Sequence, residues 1–351
     1  MPFPYIPLLL STYLSLSGLR RRSLSPSGAL LAFLTGLLTL SLPGPLVTPG
    51  LSLVAFYLTG SYATKLGKQR KARLEEGHDE GGAGYRTAGQ VFCNSAGAVG
   101  ACVLWGVIFG AGEGWPFGLG GVVRGWLGGL EGGEGGEWDY ARGEWCPVDG
   151  SVNGGLSRKL MFVVLGHFAT CLGDTLASEL GILSRTPPIL LTTLRTVPPG
   201  TNGGLSILGT AASVGGGAIM GGVMWIGLVA ENVNCREVLG FGMGGARGAG
   251  GSGGMALVGW GAGAGLVGSM LDSLLGATLQ RTQYSTSTHR ILTDEGSTSK
   301  DGNKERNKER GREGEKEEEE IKVVSGIDVL TNNQVNLVAS LATALLLGYL
   351  A

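Results

Sequence analysis

Two aspartates sit in stretches that are otherwise long and apolar. Asp174 lies in G-D-T-L-A-S-E-L-G, Gly173 to Gly181, and Asp272 in G-S-M-L-D-S-L-L-G-A-T-L-Q, Gly268 to Gln280. A carboxylate inside or beside hydrocarbon is expensive and is rarely there without a task. In the first motif His167, Thr170, Asp174 and Ser178 follow helical spacing and line one stripe, with Thr175 beside it and Glu179 well off it. In the second, Ser269, Asp272, Ser273 and Gly276 share one face, and Gln280 marks its end. The acids stand toward the C-terminal ends of their segments, where the helix macrodipole is negative and opposes them. A cation, a proton or a strong donor makes an acid tolerable there. Mg²⁺ shared with a phosphate supplies this, because it takes one or two carboxylates plus phosphate oxygens. Asp174, Glu179 and Asp272 are the candidate ligands. The plainer alternative is an Asp capped by Ser and Thr hydroxyls within a bundle. His167, alone on its face, reads as a packed residue.

Anion-binding features accompany the acids. P-P-G-T-N-G-G, Pro198 to Gly204, is a Gly-rich turn ahead of an apolar segment. Free N–H groups at a helix start favour phosphate, so Gly200, Thr201, Asn202 and Gly203 are phosphate candidates, with Arg195 as the nearby cation. A simple helix-start turn explains the same residues. Asn332, Asn333 and Asn336 open the last apolar segment, and capping accounts for one Asn rather than three. Gln90 and Asn94 open another, in Q-V-F-C-N-S, after a basic loop with Lys65, Arg70, Lys71, Arg73 and Arg86. No zinc spacing and no Ser/His/Asp arrangement competes. The three His residues lie in separate segments.

The elements that must position these residues are membrane spans. Only 16% of the residues are charged, mean hydropathy is +0.21, and Gly makes up 66 of 351 residues. A spanning helix needs about 20 mostly apolar residues. Candidates run over 4–18, 28–47, 49–66, 90–112, 160–182, 203–230, 255–280 and 334–350, which predicts an all-α polytopic bundle of about 6–8 transmembrane helices. Small-residue pairs such as Gly217 with Gly221, and the run Gly259, Gly261, Gly263 and Gly265, fit close helix packing.

Lys and Arg set the orientation. With the N-terminus outside, segments 19–27, 65–89, 183–202 and 281–333 are cytoplasmic and hold 21 of the 27 Lys and Arg residues. The cluster Arg20, Arg21 and Arg22 follows the first apolar run, which favours an uncleaved anchor over a secretory signal. Every polar motif then falls on the cytoplasmic side.

The chain divides into N-terminal helices (1–112, with the basic loop 65–89), a Gly-rich non-cytoplasmic loop (113–159), core helices with the polar motifs (160–280), a charged cytoplasmic loop (281–333) and a last helix (334–351). The two loops contain inserts, 113–155 and 285–320, too poor in apolar residues to offset chain entropy, and both are expected to be disordered. Cys93, Cys102 and Cys171 sit in apolar segments. Cys146 and Cys235 fall in outside loops, where a bridge between them is allowed but not fixed by sequence.

The motifs resemble the transmembrane protein 19 family, integral membrane domain of unknown function 92. The residues that carry the resemblance are Glu80 to Gly82, Gln90 to Asn94, the two Asp motifs, V-P-P-G-T-N-G-G and N-N-Q-V-N-L. The wider family is similar to the plant and cyanobacterial phytyl-phosphate kinase and to CTP-dependent lipid kinases. That resemblance implies Mg²⁺ as cofactor and CTP as co-substrate, with Asp174, Glu179 and Asp272 as their ligands and the 200–203 turn near phosphates. The kinase branch tends to read Gly-Thr-Glu-Gly-Ala where this chain has Asn202 and Gly204. It tends to have Asp where Asn333 stands and Trp where Leu176 stands.

The leading expectation is a prenyl-phosphate kinase-like transferase. It would act on an isoprenoid monophosphate or related membrane lipid, from the endoplasmic reticulum or another endomembrane. Asp174, Asp272 and Arg195 would be its catalytic groups. A transporter or lipid scramblase, and a non-catalytic scaffold, remain as alternatives. A transporter should show an inverted repeat, and no convincing internal repeat is present. Nucleic acid is not an expected partner, and no protein partner is indicated.

Overall fold

The computed structural model describes residues 5–41, 44, 46–67, 70–71, 74, 85–110, 122–123, 125, 138–140, 144–240, 253–286, 289–292 and 321–351. Among them are ten α-helices: α1 (Tyr5–Arg20), α2 (Pro26–Ser41), α3 (Thr48–Ala63), α4 (Ala88–Cys93), α5 (Ala96–Phe109), α6 (Leu156–Gly181), α7 (Ile207–Glu231), α8 (Val233–Leu239), α9 (Gly254–Leu279) and α10 (Asn332–Leu350). Each of the eight expected spans is helical. Four helical segments are long and apolar enough to cross a membrane: α6 with the 3₁₀ turn before it, α7, α9 and α10. The helices α1, α2 and α3 have 16 residues each. At ~1.5 Å per residue they fall short of a ~30 Å hydrocarbon layer.

The expected span 90–112 is two helices rather than one. α4 starts with a capping box between Thr87 and Gln90 and ends at Asn94. Ser95 then turns its hydroxyl back onto the Val91 carbonyl at 2.7 Å, and α5 begins at Ala96. This side-chain bond to the preceding turn competes with helix continuation.

Helix α6 is the centre of the bundle and packs against α3, α5, α7, α9 and α10. Its contacts with α7 and α9 are made backbone to backbone. A Cβ on Gly173 would lie 2.9 Å from the Gly265 Cα and 2.9 Å from the Ser213 carbonyl oxygen; α7 and α9 meet each other as closely, since a Cβ on Gly217 would lie 2.0 Å from the Gly261 oxygen. The glycine run in α9 divides accordingly. Gly261 and Gly265 are pressed onto α7, while Gly259 and Gly263 face open space.

The two ends of the bundle differ. At one end an aromatic cluster of Trp105, Phe109, Tyr140 and Trp145 is buried. Asn232 ties it to α7 by donating to the Tyr140 hydroxyl and the Trp145 carbonyl. A Cys146–Cys235 disulfide closes the same end. The expectation of disorder over 113–155 therefore fails for residues 144–155, because Trp145, Cys146 and Val148 are core residues. The rest of that insert lies largely outside the described residues.

The other end carries the basic and polar motifs. There β1 (Ile189–Leu190) pairs antiparallel with β2 (Gly204–Leu205). A three-stranded antiparallel sheet runs in the order β4 (Arg290–Leu292), β3 (Thr282–Ser285), β5 (Ile321–Ser325). These short strands give the expected charged loop 281–333 an ordered base, and residues 293–320 lie outside the described set.

Candidate functional site

The two aspartates face one another across the α6–α9 contact. Asp174 accepts a hydrogen bond from the Ser269 hydroxyl at 3.3 Å. The position lies one helical turn from Thr170, which is pressed against Gly268: a Cβ on that glycine would lie 2.3 Å from the Thr170 hydroxyl oxygen. Because α9 approaches α6 so closely here, Asp272, one turn beyond Gly268, comes close enough to Asp174 to interact electrostatically. The third wall is α10. In the orientation that satisfies its amide, Asn336 donates to the Asp272 carboxylate at 2.9 Å and to the Asn332 carbonyl at 3.2 Å. The site thus joins three helices through two acids, a hydroxyl and an amide. Both aspartates are half-buried.

Of the expected site residues, Asp174, Asp272, Ser269 and Asn336 are brought together. Asn332 and Asn333 stand at the start of α10, but neither caps it. Thr331 does so, in a capping box with Gln334. Asn333 instead approaches α4, where a Cβ on Gly89 would lie 3.6 Å from its amide nitrogen. Gln90 completes the capping box of α4, and Asn94 is that helix's C-cap. Thr175 and Ser178 bond to helix carbonyls within α6. The Ser273 carbonyl and Gly276 receive the Gly-rich turn, and Gln280 is buried at the end of α9. His167 is fully buried, and a Cβ on Gly97 of α5 would meet its Nδ1 at 2.7 Å.

Glu179 stands apart from the pair. It forms an ion pair with Lys71, whose ammonium also donates to the Ala63 carbonyl at 3.3 Å. The neighbouring Arg70 donates to the Leu183 and Ser184 carbonyls at 3.0 and 2.7 Å. Together these contacts clamp the segment after α3 onto the end of α6. Among the described residues no three His, Cys, Asp or Glu side chains gather as a metal set. What remains is a two-carboxylate, oxygen-only donor set. That fits Mg²⁺, which completes its shell with water and phosphate oxygens.

The turn at 198–204 does not lead straight into a helix. The strand β2 and the N-cap Ser206 intervene, and the Ser206 hydroxyl takes the Gly209 N–H at 3.1 Å. Within the turn, Thr201 N–H bonds to the Pro198 carbonyl, Gly204 N–H to the Thr201 carbonyl and Asn202 N–H to the Thr282 hydroxyl. Gly200 and Gly203 have φ of +89° and +77°, which favours glycine, and Gly203 packs so tightly on α9 that a Cβ would sit 2.4 Å from that of Ala277. Arg195 gives its carbonyl to the Leu190 N–H, and its side chain is exposed with no ion pair to either aspartate.

Sequence reasoning missed the Lys71–Glu179 pair and the Asn336–Asp272 bond. Both join residues far apart in the chain, and neither has a local pattern.

The chain is 29% identical over 348 residues to Protein PGR of Arabidopsis thaliana, covering 97% of this chain and 93% of that one. It is 44% identical over 57 residues to an uncharacterized membrane protein of Methanocaldococcus jannaschii, covering 16% of this chain and 24% of that protein. No solved structure matches it. The family model described as integral membrane protein DUF92 matches residues 9–344, and with a bundle of membrane-length apolar helices this chain belongs to the DUF92 family of integral membrane proteins.

Proposed function

We propose that the protein is a nucleotide-dependent lipid kinase that phosphorylates an isoprenoid monophosphate at the cytoplasmic face of an endomembrane. The observation that carries this reading is the pairing of Asp174 and Asp272 across α6 and α9, with Ser269 and Asn336 as donors. Catalysis of this kind is mostly positioning and charge neutralisation. CTP as donor follows from the resemblance to CTP-dependent lipid kinases.

Asp174 and Asp272 would hold Mg²⁺, which when bound neutralises phosphate charge. Ser269 and Asn336 fix the two carboxylates in place. Arg195, exposed in the turn that follows β1, would be available to the nucleotide's phosphates. In the transfer, an oxygen of the lipid monophosphate attacks the γ-phosphorus. The bond from that phosphorus to the β–γ bridging oxygen breaks, and the nucleoside diphosphate leaves. Glu179 is assigned to the clamp with Lys71 rather than to the metal.

The membrane orientation has support of two kinds. Positive charge favours the cytoplasmic side for the motif end, and a disulfide at the opposite end fits an oxidising lumen.

The test is phosphoryl transfer by the purified protein with Mg²⁺, γ-labelled CTP or ATP, and a panel of prenyl monophosphates. Label should appear in a prenyl diphosphate and be lost in well-folded Asp174→Asn. Absence of transfer from folded wild-type protein across the panel would refute the assignment.

A further inference from the structure

A cavity lies between α1, α2, α3 and α4, and neither aspartate lines it. Its lining is mostly apolar surface, with Leu14, Leu24, Ala32, Leu40, Leu53 and Phe56 among it, interrupted by the hydroxyls of α1 and α2 and by Arg86, Gln90 and Asn94 on the α4 side. We propose that this cavity seats the hydrocarbon chain of a single-chain anionic amphiphile and that the Arg86 guanidinium holds its head group.

Three observations carry the assignment. The first is the state of Arg86. Its backbone is fixed against the start of α2, with its N–H on the Ser23 carbonyl and its carbonyl accepting from Ser25 N–H, both at 3.0 Å. The half-buried side chain lines the cavity. A guanidinium has five N–H donors in a fork that matches phosphate and carboxylate. Among the described residues its hydrogen-bond acceptor is the Ser61 hydroxyl, at 3.2 Å from Nη1, and no carboxylate forms an ion pair with it. Glu179 is engaged by Lys71. Burial pushes Arg86 below its ordinary value, opposed by Tyr57 and then Glu179. Among the described residues, then, most of the guanidinium's donors lack a hydrogen-bonded acceptor, which an anion seated in the cavity would supply.

The second observation is size. The cavity measures about 70 Å³, several times the ~10–15 Å³ that one water needs on the same measure. It admits a segment of a slender hydrocarbon chain.

The third is location. Gly60 lies between Arg86 and α6. A Cβ there would stand 3.1 Å from Arg86 Nη2 and 3.7 Å from the Thr175 methyl. A head group on Arg86 is therefore next to the residue that follows Asp174. Helix α4 continues the link, since a Cβ on Gly89 would lie 3.6 Å from the Asn333 amide of α10 while Asn94 lines the cavity. That the amphiphile is the acceptor lipid rests on the kinase reading. That an anionic single chain binds here does not.

Binding is measured without nucleotide, on the full chain in phosphatidylcholine nanodiscs, so that detergent does not fill the cavity. The probe is radiolabelled farnesyl monophosphate, with farnesol and inorganic phosphate as competitors. The expected result is saturable binding, displaced by farnesol and not by inorganic phosphate. Arg86→Gln should weaken monophosphate binding by ~10-fold or more, as loss of a charged hydrogen bond does, and leave farnesol unchanged. Arg86→Lys should retain most of the affinity, and Ala32→Phe, which fills the cavity, should weaken both lipids. Unchanged monophosphate binding in folded Arg86→Gln or in folded Ala32→Phe overturns the proposal. If Arg86→Gln does not fold, a photoactivatable farnesyl monophosphate on wild-type protein decides. Adducts on α1–α4 support the site, and adducts confined to other helices overturn it. Specific binding without any phosphoryl transfer would sink the kinase reading and leave this site standing. Transfer at the wild-type rate by Ala32→Phe would do the reverse.

Discussion

The Lys71–Glu179 pair makes a lopsided prediction. Lys71 is 1% exposed and Glu179 is 21% exposed, so the two partners lose different things when the pair is broken. In Glu179→Gln a buried ammonium keeps only the Ala63 carbonyl and an amide oxygen, and its charge is uncompensated. Breaking a buried pair in this way costs ~3–5 kcal/mol, and the partial exposure of residue 179 puts the expected loss near ~3 kcal/mol. In Lys71→Met the carboxylate left behind already touches solvent and is also near Arg86, and the methionine keeps the buried stem packed. That loss should be ~1 kcal/mol. The double variant should resemble Lys71→Met alone, which leaves a coupling near ~3 kcal/mol in a double-mutant cycle. The assay is reversible unfolding in mixed micelles by SDS titration, run beside the transfer assay. Equal losses from the two single variants, or a Glu179→Gln protein as stable as wild type, would refute the reasoning. A Glu179→Gln protein of wild-type stability that has lost phosphoryl transfer would return Glu179 to the metal site.

Other expectations follow from packing and connectivity. Gly265→Leu drives a side chain into the α7 backbone, with its Cβ 2.4 Å from the Ser213 carbonyl oxygen, and should cost at least ~1–3 kcal/mol and broaden the size-exclusion peak. Gly263→Leu, two residues away with open space at its Cβ, should change stability by less than ~0.5 kcal/mol. A maleimide should label three cysteines in unreduced, denatured protein and all five after reduction, because Cys146 and Cys235 are bridged. Replacing both by Ser should cost ~2–5 kcal/mol, since the bridge closes a span of 89 residues. Asp272→Asn should abolish transfer as Asp174→Asn does, with both proteins monodisperse.

Helix placement was legible because it depends on local apolar content. All eight expected spans proved helical, and the Gly-rich interfaces of α7 and α9 were visible as small-residue spacing. The break at Asn94 and Ser95 was not. Its apolar flanks read as one segment, and a serine bonding back to the preceding turn looks the same in sequence as one facing a neighbour. The glycine run in α9 looked uniform, yet only tertiary placement separates Gly261 and Gly265 from Gly259 and Gly263. In the site, the aspartate motifs were legible as polar groups in apolar surroundings. Their partners were not, because Asn336 reaches Asp272 from a different helix. Lys71 shows the same limit. Its loop read as an ordinary basic segment, and nothing local distinguishes the one lysine that is buried from those that are solvated.

The position of the acids also changes which force holds them. Seen in sequence, a carboxylate toward the C-terminal end of a helix opposes the macrodipole and calls for compensation. In the structure Asp174 lies about two turns before Gly181, and Asp272 about two turns before Leu279. The dipole's influence falls off within about one turn and is worth ~0.3–1 kcal/mol at most exposed sites, so at this depth it is a minor term. What the structure places on the acids are hydrogen bonds from Ser269 and Asn336, and net contributions of about 0.5–1.5 kcal/mol each are of at least the same order as the dipole term. Each donor comes from a different helix from the acid it serves. The carboxylates are therefore positioned by the α6–α9–α10 contact rather than by their own helices. A substitution that loosens that contact, such as one at Gly268 against Thr170, should disturb the acids without touching them. Gly268→Ala places a Cβ 2.3 Å from the Thr170 hydroxyl oxygen and must push α9 away from α6. Transfer should fall by an amount comparable to Ser269→Ala while the protein stays folded. A Gly268→Ala protein with full activity would mean that the helices yield without moving Asp174 and Asp272, and that the inter-helix donors are not what sets their geometry.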